Sequence, residues 1–598
     1  DTPFNVYYFI TLSTLLCLYI YTNTISLAYF ATQIVGKEKD ISVNTKDLRI
    51  IFNNGDAITG ENVVAEDNWS MTKTFSVENK SNSTYKYNIV IKDLINTFKT
   101  TGYLQYKITS TDGGYNMTSF EDVPKRTSIT DTVLAYSISI EEGVTQNYAI
   151  TIQYPNDANI DQSDDMGATL SGKLYISEGT PMPTLAEVIL RDNPTISERT
   201  DFSVTNTANT TGIIYQTNKT EDGSIVYYYS GNTTNNWVKF GKETIQECTY
   251  NGEQVWYAEY DSSIGGITTV RNVLTSDECN STSICDSEYF SGKLVGLTEE
   301  QCVIGQYLSS KAVAGKLLEN DTHWRIIRTN EDGSVRMLYS GQTPNTMTGY
   351  IGLLLFNENR GDPMYAGYMY GTSGSLENNR TNTNDSTIKT FIDDWYQNNL
   401  LTNYDKYISK TAIYCNDRSI SSDYSYSVSN NFYYGVDTRL GNSAPTYKCG
   451  VDENGELFES TQAIADKFSV STTGGGNGQL IYPIALMTAD ELSFAGGLID
   501  TRLTSPYAWY YTNSSGASII GERTFWWSIT PYVWASSIGK TIFMAVDGSN
   551  IQGNMNSYMQ DDAGNIRPAI SLDNCVKIKS GNGTPESPYE VDYESSCN

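Results

Sequence analysis

The chain has 598 residues, with 40 lysines and arginines against 69 aspartates and glutamates, and a formal charge of −29. That surplus repels phosphate backbones and anionic headgroups, which excludes nucleic acid as a natural partner. The length exceeds one compact core and implies about three or four folding units, while 45 tyrosines among abundant Asn, Ser, Thr and Gly favour wet strands and polar turns over long helices.

From Thr2 to Gly36 no charged residue occurs, and Val6 to Ile20 is almost continuously apolar or aromatic. Residues 1–28 therefore read as an export signal or a membrane anchor. Small residues at Ser26 and Ala28 suit cleavage before Tyr29. A basic segment and an initiator Met are missing ahead of this stretch, the pattern of a truncated gene fragment. Residues 29–178 alternate apolar and polar: Phe75 and Val77; Tyr85, Tyr87, Ile89 and Ile91; Leu104, Tyr106 and Ile108; Tyr148, Ile150, Ile152 and Tyr154; Leu174 and Ile176. Half-buried strands at short spacing predict a β-sandwich.

Residues 179–200 predict a linker helix, with Thr184 and Glu187 as a capping box, Leu185, Val188 and Ile189 as its apolar stripe, and Pro194 as the stop. Residues 201–322 form a hairpin region in which Glu221-Asp222-Gly223-Ser224 is repeated as Glu331-Asp332-Gly333-Ser334 just beyond it. Each stands before a run ending Tyr-Ser-Gly. Asp-Gly is a strong turn signal, so shared turn chemistry explains the repetition better than a duplicated domain. Residues 323–579 mix strands with two helices, one capped by Ser386 and one by the Thr488–Glu491 box, which predicts an α+β domain; residues 580–598 are a polar tail. The fold class expected is a mostly β multidomain protein.

Beyond Cys17 in the apolar leader lie eight cysteines, an even number in an exported chain. Chain proximity pairs Cys415 with Cys449 and Cys575 with Cys597, leaving Cys248, Cys279, Cys285 and Cys302 to pair among themselves. No CxxC spacing occurs and His323 is the single histidine, which argues against structural zinc.

Ala28-Tyr29-Phe30, Trp69-Ser70, the run Thr72 to Asn79 and Asp165-Met166-Gly167 resemble the TasA and camelysin-like exported fibre proteins of Gram-positive bacteria. That resemblance implies a jelly-roll-like sandwich able to add an N-terminal strand, Tyr29 to Val35, to a neighbouring copy; the competing reading places that strand in its own chain. Trp324 to Arg328, Asn416 to Ser419, Leu486 to Glu491, Trp526-Trp527-Ser528 and Ile566 to Ala569 resemble uncharacterised modules of bacterial surface proteins, similar to C-type lectin-like and formylglycine-enzyme-like folds.

Trp526, Trp527, Tyr532 and Trp534, with Asp547 and Asn550, form a candidate carbohydrate platform, since aromatic faces stack on sugars and nearby polar groups bind hydroxyls. Neighbours on a strand point opposite ways, so at most one of Trp526 and Trp527 faces out, and a core role competes. Asp561, Asp562 and Asn565 offer oxygens for calcium but without EF-hand spacing, and a solvated acidic turn is the simpler reading. Asp393 and Asp394 do not face one another on a helix and read as surface. His323 lacks a nucleophile elbow for a Ser-His-Asp device, and Gly474 to Gly478 lacks the Lys and Ser or Thr of a phosphate loop. Triplets such as Asn82-Ser83-Thr84 arise by chance in so Asn-rich a chain. The chain thus reads as an exported structural or adhesive surface protein without catalytic residues, cofactor or metal. The alternatives are a membrane-held glycan-binding adhesin and a formylglycine-generating-type enzyme using Cys415.

Overall fold

The computed structural model describes residues 30–34, 41–45, 48–53, 58–63, 69–100, 102–263, 265–281, 283–286, 292–302, 305–344, 349–511, 525–548, 552–594 and 597. The expected leader lies outside them. The protein is mostly β and separates into two compact units. One ends at Met182 and also takes Lys579–Gly581; the other comprises Pro183–Ile578 and Asn582–Asn598.

Among the described residues the first unit has eleven strands: β1 Phe30–Ile34, β2 Ile41–Thr45, β3 Leu48–Asn53, β4 Ile58–Val63, β5 Trp69–Asn79, β6 Tyr85–Asn96, β7 Gln105–Ser110, β8 Glu121–Asp122, β9 Arg126–Ile140, β10 Thr145–Tyr154 and β11 Thr169–Glu178. They form a five-stranded sheet ordered β4-β1-β11-β6-β9 and a six-stranded sheet ordered β2-β3-β5-β10-β7-β8. Side chains from both sheets, among them Ile89 and Ile176 from one and Val77 and Ile150 from the other, make a single apolar cluster. The alternation in the sequence is the cause: in β10 every second residue is buried from Gln146 to Tyr154, as a period of two requires. In β6 the alternation breaks, with Tyr87 to Ile91 all buried. Its register against β9 shifts there, where the Asn88 carboxamide oxygen accepts the Ser137 amide at 2.9 Å and its nitrogen donates to the Glu178 carbonyl at 2.9 Å. Strand β1 runs parallel to β11 and antiparallel to β4 of its own chain.

In the second unit the helix Leu185–Asp192 carries the expected capping box: the Thr184 amide donates to Glu187 at 2.7 Å. Leu185, Val188 and Ile189 enter the same core as Val238, Trp324 and Ile578, so this helix belongs to the second unit rather than standing apart as a linker. Four strands follow: β12 Thr195–Glu198, β13 Ile213–Thr217, β14 Val226–Tyr228 and β15 Trp237–Tyr250. Strand β15 pairs with the long strand Val313–Thr329 from Trp237↔Arg325 to Thr249↔Val313. This ladder crosses the border expected at 322/323 and holds the hairpin region and the α+β region in one unit.

The eight cysteines from Cys248 onward are joined as Cys248–Cys279, Cys285–Cys302, Cys415–Cys449 and Cys575–Cys597. The first bridge belongs to a small apolar cluster with Val255, Val273 and Ile284, and it adds stability to the Cys248–Cys302 stretch, where so small a cluster gives little of its own. Among the described residues no helix is long and apolar enough to cross a membrane.

Ile150 is fully buried between the two sheets of the first unit. Truncation to Ala will cost about 2–5 kcal/mol through lost transfer energy and an unfilled cavity, measured as faster hydrogen exchange in peptides from 69–178 under mild urea.

Candidate functional site

The two Asp-Gly motifs meet at one place. Strands β13, β14, Val313–Thr329 and Val335–Tyr339 lie side by side, each antiparallel to the next, so both turns emerge at the same end. Gly223 and Gly333 take φ of +79° and +80°, which only glycine adopts without strain. In each turn the aspartate accepts the amide two residues on at 2.9 Å, Ser224 to Asp222 and Ser334 to Asp332. The turns touch, since the Glu221 amide donates to the Glu331 carboxylate at 3.2 Å.

Below them opens a cleft of about 330 Å3, within the size range of small-ligand sites. Its floor is an ion network. Glu491 accepts the Thr488 amide at 2.9 Å, completing a capping box, and lies 2.7 Å from Arg336 and 3.4 Å from Arg328. Arg439 bridges Asp417 at 2.7 Å and Asp490 at 3.1 Å. Burial works against the charge of Arg439, but Asp490 and Asp417 outweigh it and hold its pKa above the usual arginine value. Burial likewise opposes the charge of Arg328, and Glu331 and Glu491 overcome it. Lys467 pairs with Glu221 at 2.5 Å, and Cys415 and the turn at Gly474 and Gly475 complete the wall. The glycine run that lacks the residues of a phosphate loop begins here as a short turn, with Gly475 at φ +84°. The sequence singles out many of these residues, but only as turn, cap and bridge formers.

The aromatic platform is not formed. Trp526, Trp527 and Trp534 are fully enclosed, with the Trp527 indole donating to the Leu354 carbonyl at 2.8 Å and that of Trp534 to Val428 at 3.1 Å. The strand Phe525–Ala535 lies between neighbours in a large sheet and is buried on both faces, so its indoles fill the core. Tyr532 is half-buried, and burial together with Asp437 raises its hydroxyl pKa. Asp547 is buried and accepts from Tyr558, Asn554 and Asn556; Asn550 lies outside the described residues.

Asp561 is not a solvated turn residue but pairs with Lys540 at 2.6 Å and Arg360 at 3.5 Å, while Asn565 is buried and donates to the Phe525 carbonyl at 3.2 Å. Asp393, expected at the surface, is 8 % exposed and pairs with the enclosed Lys389 at 2.6 Å. Burial pushes its pKa up to about 6, against the pull of Lys389. Asp573, Cys575 and Cys597 converge, but the two sulfurs are bonded to each other and are not thiolate ligands. Cys415, the residue a formylglycine-type chemistry would use, is bonded to Cys449.

Comparison with protein-family models, with curated proteins and with solved structures finds no match to this chain.

His323 is buried, and desolvation, aided by Lys239, pushes its pKa down to about 4. A depressed histidine leaves the native state with fewer bound protons than the unfolded one. Its contribution is therefore full above pH 6.5 and lost as pH falls toward 4, roughly 3 kcal/mol in all. Asp393 slopes the other way, so the comparison is with His323→Gln at each pH. The difference in urea stability between the two proteins should change by about that amount across the window.

Proposed function

We propose that this protein is an exported structural or adhesive component of a bacterial cell surface or extracellular matrix. The observation that carries the reading is the complete pairing of the eight cysteines beyond the leader into four disulfides, a state that persists in oxidising, extracellular surroundings. The charge of −29 supports it by keeping a large secreted chain soluble. The first unit is read as a jelly-roll-like sandwich, because two sheets share one apolar cluster, and the second as a C-type lectin-like module.

Assembly would proceed by exchange of β1. This strand joins its unit through two ladders, to β11 and to β4, and it is preceded by no other described strand. The same ladders formed with a neighbouring copy would give the same hydrogen bonds, so closed monomer and open chain differ little in enthalpy, and concentration decides between them. A head-to-tail exchange of this kind does not close and yields a filament.

Light scattering after size exclusion, with negative-stain imaging, tests this on chains starting at Tyr29 and at Lys37. The longer chain should form concentration-dependent polymers and the shorter should not. Two monomeric proteins at every concentration would end the assembly reading.

A further inference from the structure

The cleft beneath the twin turns is balanced inside and unbalanced at its mouth. Each floor arginine has a carboxylate. At the mouth, Asp222 is met by the Ser224 amide and hydroxyl, and Asp332 by Ser334, Ser409 and Thr411. Among the described residues no cationic side chain pairs with either. The lining as a whole carries seven carboxylates against five cationic groups.

A second pocket of about 470 Å3 shares Glu221, Asp222, Thr446 and Lys448 with the first, and adds Asp452 and Glu453 against Lys219. The two together make a groove whose charge excess stays negative. At the inner end, Tyr447 is 8 % exposed and lines the cleft. Its hydroxyl has no hydrogen-bond partner among the described residues, and Arg328, Glu491 and Asp490 of the cleft all act on it.

We propose that this groove binds a primary alkylammonium group, with the ammonium held between Asp222 and Asp332 and its aliphatic chain lying along the groove. An –NH3+ head has three donors and no acceptor, and the two carboxylates with the Thr411 hydroxyl supply three acceptors. Asp222 and Asp332 sit on turns that touch through Glu221 and Glu331, and both line the same cleft. Calcium and magnesium need six or more oxygens, and among the described residues no three carboxylates converge here.

An anion is repelled by the net charge. A sugar ring finds no aromatic face at Tyr447, because the Arg328 guanidinium covers the ring at 4.4 Å and Phe494 stacks on it at 4.2 Å. The unbonded Tyr447 hydroxyl offers the inner end of the ligand a second polar contact, met either by another ammonium or by a peptide carbonyl. This inference stands apart from the assembly reading and holds for monomer or polymer.

The test is calorimetric titration of the full chain at low ionic strength with cadaverine, with the peptide acetyl-Gly-Lys-Gly-amide, and with its norleucine counterpart as the neutral control. At least one ammonium probe should bind at millimolar concentration or better, weakening with added salt as charge pairs do, and the norleucine peptide should not. Asp222→Asn with Asp332→Asn should weaken binding about tenfold or more. Both residues are exposed, and Asn keeps the oxygen that accepts the Ser224 and Ser334 amides, so the turns survive. Tyr447→Phe, which keeps the ring stack, should weaken the same probe by a smaller factor.

Binding of cadaverine alone assigns a free amine as ligand; binding of the peptide alone assigns a lysine side chain. No heat from either up to ~10 mM, equal binding of the norleucine peptide, or undiminished binding by the double aspartate variant would overturn the proposal.

Discussion

The second unit depends on burying Glu491. A carboxylate loses several kcal/mol of hydration when enclosed and is tolerated only with donors or opposite charges around it. Glu491 has the Thr488 amide, Arg336 and Arg328, which come from the start of one helix and from two neighbouring strands. The adjacent Asp490 does the same for Arg439, which reaches on to Asp417 in the strand Tyr414–Asp417. Removing one member leaves others charged and dry, so these elements pack in one arrangement or none. The cleft exists because this network fills its floor with guanidinium and carboxylate groups that do not collapse into an apolar contact.

The two units solve burial differently. In the first, strands alternate and two sheets share one cluster, so the fold follows from period-two patterning and tolerates bulges such as the one at Asn88 and Ser137. In the second, a very large sheet is wrapped by short helices and loops, and polar groups go inside with it. Arg567 is an example: fully enclosed, it donates to the Tyr339 carbonyl at 3.1 Å and the Tyr510 carbonyl at 2.6 Å, its pKa drawn down to about 10 by burial. Three of the four disulfides lie in the Cys248–Cys302 stretch and at the C-terminal segment, and the fourth, Cys415–Cys449, stands at the cleft wall.

Much of the local structure was legible in the sequence because local rules decide it. Alternation placed the inward faces of β5, β6, β7, β10 and β11, capping boxes placed two helix starts, and chain proximity paired Cys415 with Cys449 and Cys575 with Cys597. The candidate site was not legible, because its contacts are remote: Arg328 and Glu491 are 163 positions apart, and Cys449 donates to Glu221 across 228. The tryptophan platform failed for a related reason. Opposite-facing neighbours on a strand separate inside from outside only when one face is wet, and the strand Phe525–Ala535 has no wet face over Trp526 and Trp527. Asp393 was misplaced likewise, since a helix enclosed on several sides carries its charges inward with a lysine.

The most direct test of this account is the unfolding free energy of Glu491→Gln, measured by urea denaturation at neutral pH. Glutamine keeps the shape and the bond to the Thr488 amide but leaves Arg328 and Arg336 without their shared charge. The account predicts a loss of about 3–5 kcal/mol, as for breaking a buried ion pair from one side. A change below ~1 kcal/mol, the size expected of an exposed pair, would contradict the claim that this network fixes the fold of the second unit.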